Sequence, residues 1–151
     1  MKLKQSSKAP DFELLDQDGR LHKLSDYKGR KIVLYFYPKD STPGCTIEAC
    51  NFRNDEALYK KKGAVILGIS TDDVKSHRKF ADKYKLPFTL LADPEKTVVN
   101  AYGVWKEKSF IGRKYMGTSR ETFIIDEKGK IIKHFDDVKI KNHSKDILAL
   151  L

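Results

Sequence analysis

Cysteine is scarce: Cys45 and Cys50 are the only two among 151 residues. Stapled secreted domains usually carry four or more, so an extracellular disulfide scaffold is excluded and a reducing cytoplasm is the expected compartment. Long apolar runs are also missing. The longest, Ile32–Tyr37, falls far short of the roughly 20 residues a bilayer span requires, so no membrane partner is expected. Met1–Asp11 offers lysines and serines where an export signal would need an apolar stretch. Histidine is sparse and scattered, at 22, 77, 134 and 143. Neither cysteine has a partner at the spacing of a structural zinc site, and no metal is expected.

Positive charge is in excess, with 30 Lys and Arg against 21 Asp and Glu and a formal net charge of +9. The excess is spread along the chain. Residues 1–50 carry 9 positive and 7 negative groups, residues 51–100 carry 10 and 7, and residues 101–151 carry 11 and 7. Nucleic-acid binding normally shows as a clustered stripe with a recognisable module. The nearest candidate, Lys60-Lys61-Lys62, stands at the end of a predicted helix, where lysines also complement the helix dipole. Nucleic acid is therefore not the expected partner. The length fits one domain, 1–151, able to bury about 70% of its unfolded surface.

The pattern of elements points to an α/β fold. Phe12–Leu15 and Leu21–Leu24 flank Asp16-Gln17-Asp18-Gly19 as a hairpin. Ile32–Tyr37 reads as a strand buried on both faces, followed by Pro38, a loop with Pro43-Gly44, and a helix from Cys45 to Lys62 closed by Gly63. Val65–Ser70 is a second buried strand. Thr71-Asp72-Asp73 can cap a helix with Val74, His77, Phe80, Ala81 and Tyr84 on one face, and His77 is expected at its edge. Phe88–Ala92 is a short strand, and Asp93-Pro94 opens a helix reaching Tyr102. Trp105–Ser119 has no clear period, with Trp105 and Met116 read as core or lid packing. Thr122–Ile125 and Ile131–Phe135 form a last hairpin before a helix over Ser144–Leu151. The first-hairpin charges and Lys139–Lys145 read as solvated surface.

Strands alternating with helices argue for a central mixed sheet flanked by helices, and the order resembles the thioredoxin-like fold with an added N-terminal hairpin. In that arrangement Thr122–Ile125 lies antiparallel beside Ile32–Tyr37, which brings Arg120 next to the loop carrying Cys45. The sulfur, at the start of a helix, faces unpaired backbone N–H groups and the positive end of the dipole, and a nearby Arg120 adds a second positive field. Both favour a thiolate. Thr42 can donate its hydroxyl proton to the sulfur or to a bound oxygen. Cys45, Ala49, Phe52 and Tyr59 share one apolar arc of the helix, while Ile47, Cys50, Ala57 and Leu58 share another. On a regular helix the Cα atoms of residues 45 and 50 stand about 8.7 Å apart, beyond the roughly 7 Å limit of a disulfide. The two cysteines can pair only if the first turns unwind.

Pro38-Lys39-Asp40-Ser41-Thr42-Pro43-Gly44-Cys45-Thr46 resembles the peroxiredoxin signature P-x-x-x-T-x-x-C. Cys50 five positions on resembles the bacterioferritin-comigratory, or PrxQ-like, branch. Phe36–Asp40, Glu48, Phe52-Arg53, Tyr102-Gly103-Val104-Trp105, Lys114-Tyr115-Met116-Gly117, Arg120 and Thr122–Asp126 are similar to the same branch, so the resemblance spans nearly the whole chain. It implies a peroxidatic Cys45, a resolving Cys50, Thr42 and Arg120 holding peroxide and thiolate, Pro38 shielding the pocket, and Glu48 orienting the arginine. The implied activity is thiol-dependent reduction of hydrogen peroxide and alkyl hydroperoxides with no cofactor. The implied reductant is thioredoxin or an equivalent dithiol, and the implied state a monomer. The alternative class is a thioredoxin-fold binding, chaperone or redox-sensing protein without turnover. Loss of peroxide consumption in Cys45→Ser separates the two.

Overall fold

The computed structural model describes residues 6–151. Nine strands and four helices follow one another as β1 (Glu13–Asp16), β2 (Leu21–Lys23), β3 (Lys31–Phe36), α1 (Pro43–Lys61), β4 (Ala64–Ser70), α2 (Val74–Tyr84), β5 (Thr89–Ala92), α3 (Thr97–Ala101), β6 (Trp105–Phe110), β7 (Arg113–Thr118), β8 (Glu121–Ile125), β9 (Ile131–Phe135) and α4 (His143–Leu148). Seven strands form one sheet in the order β2-β1-β5-β4-β3-β8-β9, while β6 and β7 pair apart from it. β3, β4 and β5 run parallel, and β8 runs antiparallel to β3 with Phe36 opposite Glu121 and Tyr35 opposite Thr122. This is the mixed sheet of a thioredoxin-like fold.

β3 shows why its run of apolar residues has no polar alternation. Ile32, Leu34 and Phe36 face a core shared with Val98, Val99, Tyr102 and Phe123, while Val33, Tyr35 and Tyr37 face Ala49, Phe52, Tyr59 and Phe80. A strand covered on both faces must be apolar at every position. On α1, Cys45, Ala49, Phe52 and Tyr59 are buried, whereas Ile47 and Leu58 lie exposed and Cys50 is half-buried. Only the first expected arc is core.

The structure corrects several expectations. α1 begins at Pro43, two residues early, because Thr42 already has the extended backbone of a cap and its carbonyl accepts the first helical bond from Thr46 N–H at 2.9 Å. Asp93 does cap, through Oδ2 to the N–H groups of Val98 and Val99, but the helix waits until Thr97. Pro94–Lys96 first make a turn, with Lys96 in the left-handed region at φ 66°. His77 is fully buried, and Met116 is exposed. The stretch 105–119 is a hairpin whose two faces are both largely exposed, so burial imposed no period on it. Asp16 is buried too: its carboxylate takes the N–H groups of Asp18 and Arg20 and pairs with His22 at 2.6 Å. Within Lys139–Lys145, His143 and Ser144 are buried, while Lys145 stays exposed and pairs with Asp55 at 2.8 Å.

Candidate active site

The parallel β3–α1–β4 crossover puts the end of β3 and the start of α1 together at one end of the central strands. Pro38 stands two residues after the end of β3 and starts the loop. Asp40 then fixes that loop to the interior. Its carboxylate accepts from Tyr37 Oη at 2.6 Å and Ser76 Oγ at 2.8 Å and lies 2.7 Å from His77 Nδ1. Its own N–H donates to Asp72 Oδ2 at 2.8 Å. Ser41 turns the chain in the left-handed region, at φ 64°, and Thr42 caps the helix. Cys45, the third helical residue, is 1% exposed.

β8 supplies the other half. Because its first residue pairs with the last of β3, Arg120 just before it faces the new helix. One guanidinium nitrogen, Nη2, donates to Cys45 Sγ at 3.3 Å, and Nη1 donates to Glu48 Oε1 at 2.7 Å. Glu48 stands one helical turn after Cys45, on the same side. A single planar cation therefore bridges the sulfur and a buried carboxylate. Burial pushes Glu48 up, and the charge and hydrogen bond of Arg120 pull it only part of the way back, leaving it at about 7. Glu48 Oε2 has no hydrogen-bond partner among the described residues. Burial lowers the affinity of Arg120 for its proton, but Glu48 and the sulfur outweigh this and hold it fixed as a cation.

Behind the arginine, Thr122 Oγ1 lies 2.7 Å from His143 Nε2. Burial pushes His143 down to about 4, so the ring is neutral at physiological pH. The Tyr35 hydroxyl is raised by burial first, then by the charges of Glu48 and Cys45. Lys108 on β6 is the group that sequence reading missed. It is half-buried, and its ammonium is lowered by burial and by Arg120 and raised by Cys45. No periodicity marked this hairpin, so no sequence signal placed Lys108 within electrostatic reach of Arg120 and Cys45.

Of the expected residues, the fold brings Cys45, Arg120 and Glu48 into direct contact. Thr42 departs from expectation: its hydroxyl donates to Lys39 O at 2.8 Å, so its proton is committed and its oxygen presents lone pairs. Cys50 lies elsewhere on an unbroken helix, and both thiols are free.

Comparison with known proteins fits this geometry. The model of the AhpC/TSA family matches residues 6–134. The chain belongs to that family. Its relatives include the peroxiredoxin Bcp of Bacillus subtilis, 49% identical over 100% of this chain and 96% of that protein. The peroxiredoxin Bcp of Escherichia coli K12 is 47% identical over 99% and 96%. Among solved structures, the Xanthomonas campestris bacterioferritin comigratory protein, determined in work on its alkyl peroxide reduction activity, superposes with a TM-score of 0.87. It is 37% identical, with 92% of this chain and 88% of that one covered. Peroxidoxin BcpB of Mycobacterium tuberculosis gives a TM-score of 0.86 at 36% identity, over 97% and 95%. This peroxiredoxin is thus a thiol-dependent peroxidase of the Bcp and PrxQ branch. Among the described residues no helix is long and apolar enough to cross a membrane.

Proposed function

We propose that Cys45 is the peroxidatic residue and Cys50 the resolving one, within a single chain. The observation that carries this is the Arg120 guanidinium, 3.3 Å from the Cys45 sulfur and 2.7 Å from Glu48 at the start of α1. Positive charge fixed beside a sulfur at a helix N-terminus stabilises the thiolate and the charge that develops as an O–O bond breaks.

The thiolate attacks the terminal oxygen of a hydroperoxide, forming a sulfenic acid and releasing an alkoxide, or hydroxide from hydrogen peroxide, which takes a proton to leave as alcohol or water. Thr42 Oγ1, with its donor spent on Lys39, accepts a hydrogen bond from the hydroperoxide O–H and orients the substrate. Pro38 limits water at the loop, and Glu48 keeps Arg120 aimed. Cys50 then displaces water from the sulfenic acid to form the 45–50 disulfide. With about 8.7 Å between the Cα atoms of a helical pair at this spacing, the first turns of α1 must unwind for that step. Thioredoxin or an equivalent dithiol of a reducing cytoplasm restores both thiols. Both sulfurs belong to one helix, so turnover needs no second copy of the chain.

Peroxide consumption coupled to thioredoxin oxidation tests the assignment. Cys45→Ser abolishes it, and Cys50→Ser allows one oxidation of Cys45 but stops thioredoxin-linked recycling. Undiminished turnover in the first variant rejects the site. Normal recycling in the second rejects the role of Cys50.

A further inference from the structure

The β6–β7 hairpin stands outside the main sheet and carries the two most exposed large apolar side chains among the described residues. Phe110 is 68% exposed and Ile111 88%. Both lie at the tip. Ile111 has φ 50° and Gly112 φ 73°, the mirror-image turn whose first position normally holds Asn, Asp or Gly. A β-branched residue there is strained, and it gains nothing from packing. An apolar side chain kept at a conformational cost in open solvent points to something outside the protein that it meets.

The charges around the tip identify the partner. Residues 105–118 contain Lys106, Lys108, Arg113 and Lys114 against one carboxylate, Glu107, which lies 3.7 Å from Lys114, while Lys106 pairs with Glu121 at 2.8 Å. Arg113 and Lys114 follow the tip directly and are exposed. An apolar point backed by cations has the character of an interfacial anchor. The apolar residues enter the boundary between headgroups and acyl chains, and the cations meet anionic headgroups. A two-residue convex tip gives a folded protein little area to grip, whereas a bilayer deforms around it. The expectation of no membrane partner rested on the absence of a span, and lying on a surface requires none.

We propose that the β6–β7 tip is a docking element for an anionic bilayer surface, with Phe110 and Ile111 inserted and Arg113 and Lys114 on the lipid phosphates. The root of the same hairpin runs through Ser119, whose N–H donates to Val104 O at 2.7 Å, into Arg120. β6 also carries Lys108, whose aliphatic chain lies across Gly117. Docking by the tip therefore sets the cysteine site above the lipid surface within about one strand length, roughly 20 Å.

Flotation of the full chain with vesicles measures this without reference to peroxidase activity. Wild type is expected to float with phosphatidylcholine–phosphatidylglycerol vesicles at low salt, to be released at high salt, and to stay behind with phosphatidylcholine alone. Ile111→Asn keeps a residue suited to the left-handed turn, so the fold survives. It should cut binding about tenfold while leaving turnover of a soluble hydroperoxide unchanged. Replacing Arg113 and Lys114 together with Gln should weaken binding and flatten its salt dependence. Absence of binding to the anionic vesicles, or equal binding by Ile111→Asn, overturns the proposal. A raised KM for the dithiol reductant in Ile111→Asn with vesicle binding intact would also overturn it and give the tip to a protein partner.

Discussion

Gly44 has no side chain at the one point where the Arg120 guanidinium passes α1. A Cβ on Gly44 would stand 3.1 Å from Arg120 Nη2 and 3.2 Å from Ile140 Cδ1. The residue before the reactive sulfur thus leaves the space through which the arginine reaches that sulfur. Gly44→Ala should displace the guanidinium by a few tenths of an ångström and slow oxidation of Cys45 about tenfold. Alanine favours the helix by about 1 kcal/mol, so the melting temperature should hold or rise. Stopped-flow oxidation of the reduced protein, set beside a thermal melt, checks the pair. A fall in both would mean that the glycine serves packing alone.

Arg120 itself should be worth more. Arg120→Met removes the donor to the sulfur and is expected to lower the second-order rate with peroxide by about 100- to 1,000-fold. Arg120→Lys should recover only part of this, since an ammonium cannot reproduce the planar fork that holds Cys45 and Glu48 together. The rate of Cys45 oxidation in single-turnover mixing distinguishes the variants.

Two buried groups tilt stability with pH in opposite directions. Folded Glu48 titrates at about 7 against an ordinary 4.5. Between these values it keeps a proton that the unfolded chain releases, and its contribution to stability falls as pH rises. Folded His143 titrates at about 4 against 6.5. Across that window the unfolded chain binds a proton that the native ring refuses, so its contribution falls as pH drops. Relative to wild type, Glu48→Gln should therefore gain stability from pH 5 to 7, by about 2 kcal/mol, and His143→Gln should lose a similar amount. Urea denaturation at the two pH values reads the difference. Slopes of the same sign in both variants would contradict the assignment.

Unwinding of α1 makes a prediction about protection. Amides of residues 46–50 should exchange slowly in the reduced protein and much faster after one equivalent of peroxide, with a 45–50 disulfide found by peptide mass mapping. In Cys50→Ser, protection should persist after oxidation because no disulfide forces the helix open. Equal protection of wild type before and after peroxide would count against intramolecular resolution.

Much of the architecture was legible because its causes are local. The unbroken apolar run of β3 announced a strand covered on both sides, Thr71-Asp72-Asp73 announced a capped helix, which Asp73 begins by accepting from Ser76 N–H at 2.8 Å, and the neighbourhood of Cys45 and Arg120 followed from strand order. The failures share a cause as well. The hairpin over 105–119 presents both faces to solvent, so no alternation marked it, and Lys108 stayed hidden with it. α3 shrank because Pro94–Lys96 preferred a turn while Asp93 still bonded to the helix beyond. His77 read as peripheral, since nothing local to it shows the remote partners that hold it, Asp40 and Leu91 O, the latter 2.9 Å from Nε2, whereas Asp16 read as surface charge although its partners Asp18, Arg20 and His22 are all local.

The sequence by itself determined the cysteine spacing, the helix that begins beside Cys45 and the family signature, because each depends on residues within a turn or two of one another. Only the tertiary structure decided that Arg120 spans from Cys45 to Glu48 and that Glu48 is buried enough to titrate near neutrality. Those outcomes depend on distance and desolvation between segments as many as 75 positions apart, which only the closed sheet brings together.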